Sequence, residues 1–152
     1  MLDALKSFLS EFGEGTKNPA AFESDDYRLA AAALLIHVMS IDGQEKEQEH
    51  DKLRAILRKQ FDLDDKQTDA LIEAATAADR EAIDLYRFTS LLNRSLDEAG
   101  RLRIVEMMWQ IVYADGKVNE FEDNMIWRAA DLLHVSSRDR IEMRRRVSGQ
   151  DA

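Results

Sequence analysis

The chain contains no cysteine and only one proline, Pro19. The missing cysteines exclude disulfide bonds, thiolate nucleophiles and zinc sites built from cysteine. They fit a reducing compartment, and the N-terminus lacks a basic region followed by an apolar core, so we expect a cytoplasmic location. No apolar run approaches the roughly 18 residues of a membrane span, so we expect no transmembrane segment.

Pro19 lies in a glycine-containing segment, 13–19, which is the clearest break in the chain. Before it, apolar residues recur at helical spacing, which predicts an amphipathic helix that packs on the domain. These residues are Leu2, Leu5, Phe8, Leu9 and Phe12. We therefore expect an N-terminal helix and linker over 1–19 and one helical domain over 20–152.

The chain has fewer basic than acidic side chains: 21 lysines and arginines against 30 aspartates and glutamates, which gives a formal charge of −9. Such a field repels phosphate backbones, so we expect no nucleic-acid partner. Cations and the basic surfaces of protein partners fit this charge better. The sequence leaves the oligomeric state open.

The chain is rich in alanine, leucine, glutamate, arginine and lysine and has no alternating apolar stretch, which predicts an all-α fold. About seven helices are expected after the linker. They span roughly 26–41, 47–60, 65–76, 80–96, 99–114, 120–133 and 136–146. The first and the fifth are apolar on nearly every side, which is typical of helices buried at the centre of a fold.

Particular side chains are expected at the core. Leu35 and Val38 in the first helix, and Met108 and Ile111 in the fifth, should be nearly fully buried. Further core candidates are Ile83, Tyr86, Leu91, Leu92, Trp109 and Trp127. His37 lies on the apolar first helix, so we interpret it as a core histidine with a satisfied hydrogen bond.

An internal repeat relates the two halves of the chain. Segment 34–43 aligns without gaps on 107–116, and the same offset carries Glu47 onto Glu120 and Glu49 onto Glu122. Each copy contains a buried helix, an Asp-Gly turn, an amphipathic helix, a short break and a capped helix. One such unit cannot cover its own central helix, so we expect two to pack about a pseudo-twofold axis.

Each Asp-Gly pair is expected to form a structural turn in which Gly43 and Gly116 adopt positive φ and end the preceding helix. Asp42 and Asp115 then lie at helix C-termini, where the helix dipole disfavours a negative charge. Turn N–H groups or a bound cation could compensate this charge.

Capping patterns predict where three of the following helices begin. Asp64-x-x-Gln67 and Asn119-x-x-Glu122 are capping boxes, and Ser136 can cap the last helix. The run 144–146 consists of arginines, which we expect to face solvent and to complement the end of that helix.

The spacing from each glycine to the following glutamate matches the second half of an EF-hand loop. The first half lacks the required Asp and Asn ligands, so we exclude a true EF-hand. A looser divalent-cation site remains possible at each turn. Its candidate ligands are Asp42 with Glu45, Glu47 and Glu49 in the first copy, and Asp115 with Asn119, Glu120 and Glu122 in the second. A purely structural turn and a protein-docking role are the alternatives.

No motif for catalysis is present: the chain has no glycine-rich phosphate loop, no Gly-x-Ser-x-Gly and no His-Glu-x-x-His. We therefore expect no catalytic residue and no enzyme activity. One alternative is a di-metal carboxylate enzyme, because Glu47-x-x-His50 resembles half of a di-iron motif whose other half could be Asp131-x-x-His134. Another is a purely structural helical domain.

The repeated pattern is an apolar helix followed by Asp-Gly-x5-Glu and an amphipathic helix, which in the second copy ends in Leu-His-Val-Ser. This pattern resembles the TerB-like family of bacterial tellurite-resistance proteins. That family also includes the N-terminal domain of a membrane-anchored DnaJ-type co-chaperone. The likeness covers about 24–147 and is strongest over 113–122. Since the chain has neither a J-domain His-Pro-Asp nor a membrane span, the co-chaperone activity does not carry over.

The resemblance implies an all-α fold and a role in stress response through protein partners. It also implies that the family's acidic positions, suspected of metal binding, fall on Asp42, Glu49, Asp115 and Glu122. We therefore expect a non-catalytic acidic binding or scaffold module that binds divalent cations weakly. No other cofactor is expected.

Overall fold

The computed structural model describes residues 22, 26–40, 47–82, 84–114 and 118–149. Within these ranges the chain forms seven helices and no strand, which confirms the all-α fold. The helices are α1 (Tyr27–Met39), α2 (Glu47–Phe61), α3 (Asp65–Glu81), α4 (Tyr86–Ser95), α5 (Glu98–Val112), α6 (Glu120–Leu132) and α7 (Ser137–Gly149). None of these helices is long and apolar enough to cross a membrane. The N-terminal helix expected over 1–19 lies outside the described residues.

Helices α1 and α5 form the centre of the core, as their apolar sequences predicted. Leu35 and Val38 of α1, and Met108 and Ile111 of α5, are each 0% exposed. The four consecutive alanines 30–33 are all buried, so the N-terminal half of α1 is covered by the rest of the protein on every side. Because alanine has the highest helix propensity and the smallest helix-forming side chain, this run favours a helix and lets neighbouring helices lie close to it.

The central helices contact helices from both halves of the chain. Helix α1 packs most extensively against α3 and α4, and α5 packs most extensively against α7. Across the halves, α1 contacts α5 and α6, and α2 contacts α5. A pseudo-twofold axis relating the two copies stays a prediction. Helix α4 lies between the two copies in sequence and packs on α1 and α6, so it joins one helix from each copy.

The repeat extends to the backbone after α2 and α6. Asp62 and His134 occupy equivalent positions and both have positive φ, 53° and 61°. The next residues, Leu63 and Val135, each donate their N–H to the carbonyl five residues earlier, at 3.1 and 2.9 Å. This is the Schellman arrangement that ends helices. It forms here without glycine, so the usual sequence signal for this helix end is missing.

The predicted caps of the following helices are confirmed. Asp64 accepts the N–H of Gln67 at 2.7 Å, and the Gln67 side chain accepts the N–H of Asp64 at 3.0 Å. Ser136 accepts the N–H of Asp139 at 3.1 Å. The cap of α1 differs from the predicted one, Ser24 or Asp25: the helix begins after Asp26, whose side chain accepts the Arg28 N–H at 2.9 Å.

The boundary between α3 and α4 differs from the predicted one. Helix α3 continues to Glu81, beyond the expected end near Thr76, and α4 begins only at Tyr86. The extension follows from segment 74–78, Ala-Ala-Thr-Ala-Ala, whose alanines strongly favour continued helix. Ala82 then takes an extended conformation with ψ of 136° and ends the helix.

Two residues expected in the core are exposed instead. Trp127 is 51% and Tyr86 65% exposed, whereas Trp109, Leu91 and Leu92 are buried as predicted. Trp127 follows the fully buried Ile126, and successive residues point about 100° apart around a helix, so its ring leaves the core. Ile83, another core candidate, lies outside the described residues.

Candidate functional site

The structure describes two of the four acidic positions that the resemblance marks as candidate metal ligands. Glu49 and Glu122 are only 0% and 1% exposed, although both are acidic. The turn residues Asp42, Gly43, Asp115 and Gly116 lie outside the described residues, so the predicted turn conformations and the approach of the carboxylates to one another stay predictions.

Glu122 closes the predicted capping box at the start of α6. Its N–H donates to Asn119 Oδ1 at 2.8 Å, and its Oε1 accepts the Asn119 N–H at 3.1 Å. A local sequence pattern therefore fixes the position of this carboxylate. Its burial was not predicted.

Glu49 occupies the equivalent place in the first turn of α2. It lies four residues before Leu53, and Glu122 lies four residues before Ile126; both apolar residues are fully buried. Side chains four residues apart share one face of a helix. Each glutamate therefore continues the buried face of its helix toward the turn that precedes it.

Burial makes these two carboxylates the most unusual acidic groups in the described part of the chain. An ionised carboxylate loses its hydration when buried, and this cost requires hydrogen-bond donors or a positive charge nearby. The same arrangement in both copies indicates a property of the repeat itself. Within the described residues, no three His, Asp or Glu side chains are placed to hold one metal ion.

The absence of such a group among the described residues also bears on the two pairs of the di-iron-like pattern, Glu47-x-x-His50 and Asp131-x-x-His134. Glu47 is exposed and His50 partly buried, while Asp131 and His134 are both exposed. Within the part of the chain that the structure describes, neither pair belongs to a group of three such side chains that could hold a metal ion.

His37 was interpreted as a core histidine, and the structure places it at the edge of the core. Its Nδ1 lies 2.8 Å from Asp79 Oδ1, so the hydrogen bond is satisfied, but 33% of its side chain is exposed. Asp79 reaches His37 because α3 extends beyond its predicted end. The interpretation was therefore right about the hydrogen bond and wrong about full burial.

Arg144 packs onto the core, whereas the arginine run was expected to face solvent. Its guanidinium lies 5.1 Å from the centre of the Trp109 ring and 5.9 Å from that of Tyr113. It donates to the Tyr113 hydroxyl and to Asp123, each at 2.8 Å. Arg145 and Arg146 are exposed as predicted. Arg144 thus links α5, α6 and α7, which its neighbours in the run do not.

Two clefts lie on the outer surface of α4, on either side of Tyr86. One, of about 330 Å³, is lined by Leu29, Ala30, Ala78, Tyr86, Arg87, Phe88, Ser90, Leu91 and Arg94. The other, of about 370 Å³, is lined by His37, Asp84, Leu85, Tyr86, Met125, Arg128 and Leu132. Sequence reasoning missed both clefts, because it assigned Tyr86 to the core.

An all-helical module in which a buried glutamate follows each of the two Asp-Gly sequence segments is the class that fold and site define. The family model for the tellurite resistance protein TerB matches residues 28–145. The chain therefore belongs to the TerB family, which confirms the resemblance found in the sequence. No curated protein and no solved structure matched the chain significantly.

Proposed function

We propose that this chain is a non-catalytic, cytoplasmic binding module that acts through protein partners. The observation that supports the proposal is the exposure of large apolar side chains on α4 and α6: Tyr86, Phe121 and Trp127 are all more than half exposed. Of these three, Tyr86 lines both clefts, and an exposed apolar group at a cleft marks an interaction site more often than a solitary one does. Tyrosine and tryptophan are also enriched among the residues that contribute most to protein–protein binding.

The family's description connects the module with tellurite resistance. We propose that it serves such a stress response by recognition, with the chemistry of resistance carried out elsewhere. The acidic composition argues against nucleic acid as the partner, because a net charge of −9 repels phosphate backbones.

Photo-crosslinking in cells tests the binding function. A photoreactive phenylalanine analogue in place of Tyr86 should crosslink to a discrete protein, because the ring position is exposed beside two clefts. The same analogue in place of Lys59, an exposed residue of α2, is the control and should not form that adduct. The analogue is also placed at the exposed position Trp127. Identical adducts from positions 86 and 59, or no adduct from either position 86 or position 127, would contradict the binding function.

A second function is favoured by the burial of Glu49 and Glu122. We propose that each Asp-Gly turn, with the glutamate that follows, binds a divalent cation weakly. A cation would offset the cost of placing two carboxylates, Asp42 with Glu49 or Asp115 with Glu122, near one another in a buried site. The occurrence of the same buried glutamate in both copies supports this proposal.

The cation proposal predicts a stabilising effect of calcium or magnesium. For a dissociation constant of about 1 mM at each of the two sites, about 10 mM cation should add about 1.4 kcal/mol per site, about 2.8 kcal/mol in all, to the free energy of unfolding. In thermal melts this should raise the midpoint by about 6–11 °C. The double variant Asp115→Asn, Glu122→Gln should lose part of this rise and the four-fold variant that adds Asp42→Asn and Glu49→Gln should lose all of it.

A matched control is Asp131→Asn, Glu142→Gln, which removes two exposed carboxylates from α6 and α7 and should keep the full rise. A wild-type melting curve that neither ion shifts would refute cation binding. In that case backbone N–H groups would be the compensating partners, and Asp115→Ala alone should cost about 1 kcal/mol.

A further inference from the structure

The two clefts beside Tyr86 together form one surface feature, which we call the Tyr86 groove. The first cleft reaches α1 at Ala30 and the second reaches it at His37. These residues are seven positions apart, which is about 10 Å along a helix axis. The groove therefore offers two apolar depressions about two helical turns apart, with the exposed Tyr86 ring between them.

The groove is lined by arginines in a protein that is acidic as a whole. Arg87 and Arg94 line the first cleft and Arg128 the second. Among the residues that the structure describes, none of the three forms an ion pair, although Arg54 and Arg58 of α2 both do. Acidic residues outnumber basic ones in this chain. Three neighbouring arginines that form no ion pair with the described carboxylates therefore mark a locally basic surface.

Two acidic groups lie at the groove, and neither forms an ion pair with the three arginines. Asp84 Oδ1 accepts the N–H of Tyr86 at 3.0 Å, a bond that leaves its negative charge in place, and Asp79 lies 2.8 Å from His37. The cleft linings therefore contain three arginines and one carboxylate, that of Asp84. The groove combines an apolar floor with guanidinium groups at its rim, and those groups are suited to carboxylate ligands.

We propose that the Tyr86 groove binds an acidic amphipathic helix of a partner protein. Apolar side chains seven residues apart on such a helix are about 10 Å apart and would enter the two depressions. Glutamates or aspartates beside them would pair with Arg87, Arg94 and Arg128. An extended anionic surface such as a bilayer or a nucleic acid fits less well, because the rest of this protein would repel it.

The proposal rests on the binding function proposed above and specifies the chemistry of the partner. It is tested on the full chain by fluorescence anisotropy with two labelled probes. One is a helical peptide of about sixteen residues with leucines seven positions apart and glutamates beside them; the other has lysine in place of every glutamate. The acidic peptide should bind at least about tenfold more tightly, and added salt should weaken its binding.

Charge-reversal variants locate the binding to the groove. Arg87→Glu and Arg128→Glu should each weaken binding of the acidic peptide at least about fivefold. The controls Arg138→Glu and Arg145→Glu reverse exposed arginines of α7 and should change affinity less than about twofold. Arg87 and Arg138 both lie in the first turn of a helix, where glutamate is favourable, so both variants should fold. Tyr86→Ala should weaken binding to a similar extent while leaving the helical circular dichroism unchanged.

Equal affinity for the two peptides, or equal losses from the α7 and groove reversals, would overturn the proposal. A self-associating chain that Tyr86→Ala makes monomeric, and that does not bind the acidic peptide, would make a second copy the occupant and also overturn it. A discrete crosslink from position 86 without binding of the acidic peptide would reject the acidic helix and keep the binding function. Peptide binding without any crosslink in cells would instead reject the binding function.

Discussion

Replacing Trp109 with alanine should lower the free energy of unfolding by about 3–5 kcal/mol, the largest loss expected from a single change in this chain. The indole ring is fully buried on α5, so its removal leaves a large cavity among α5, α7 and their neighbours. Its Nε1–H also donates to the Arg140 carbonyl at 3.2 Å. The variant would lose this hydrogen bond as well, which adds to the cost of the cavity.

Urea denaturation followed by circular dichroism measures the loss, and Trp127→Ala is the matched control. Trp127 is half exposed, with the Arg140 guanidinium 6.0 Å from its ring centre, so its truncation should cost less than about 1 kcal/mol. Similar losses for the two tryptophans would contradict the different environments described above. A loss below about 1 kcal/mol for Trp109→Ala would do so as well.

Arg144→Ala should cost about 1–2 kcal/mol, more than is usual for an arginine on a protein surface. The guanidinium covers the Trp109 ring, donates to the Tyr113 hydroxyl and pairs with Asp123, so truncation removes three interactions that join three helices. Its methylene groups also shield part of the core. Arg144→Lys should retain the charge and lose the planar contacts, which gives an intermediate cost.

Arg145→Ala is the control for the arginine run, because Arg145 is exposed and its substitution should stay within about 0.5 kcal/mol of the wild type. About 1 M salt should reduce the cost of Arg144→Ala only in part, since the ring contacts are less sensitive to screening than the exposed pair with Asp123. Equal effects of the two alanine variants would mean that Arg144 contributes nothing beyond its charge.

Local patterns were sufficient for most of the fold. Helix type, the two apolar central helices and the caps at Asp64, Asn119 and Ser136 all follow from neighbouring residues, and each was found where it was predicted. The boundary after α3 was missed because the weak break at Thr76 outweighed the flanking alanines in the prediction. The positive φ of Asp62 and His134 was missed because no residue type other than glycine reliably indicates that conformation.

Which face of a helix is buried depends on its neighbours, and here the sequence was less informative. Trp127 and Tyr86 were assigned to the core by residue type, yet both rings point outward. Arg144 was assigned to solvent for the same reason, although two aromatic rings lie beneath it. A composition-based charge argument likewise predicted basic partners and missed the arginines around Tyr86, because net charge says nothing about where charges lie.

The candidate site was half predictable. Spacing picked out Glu49 and Glu122, and both are buried in the first turn of their helices. That burial could have been inferred from their positions four residues before Leu53 and Ile126, since the apolar face of each helix extends back to them. The cation and the geometry of the Asp-Gly turns stay predictions.

The alanine run of α1 has a consequence for the entropy of folding. Burying a leucine or methionine removes rotamer freedom, whereas alanine has none to lose. Segment 30–33 thus places four side chains in the interior, where α1 meets α3, α4 and α5, with no loss of side-chain entropy. The alanine run therefore lowers the side-chain entropy cost of ordering the helix that contacts most of the others.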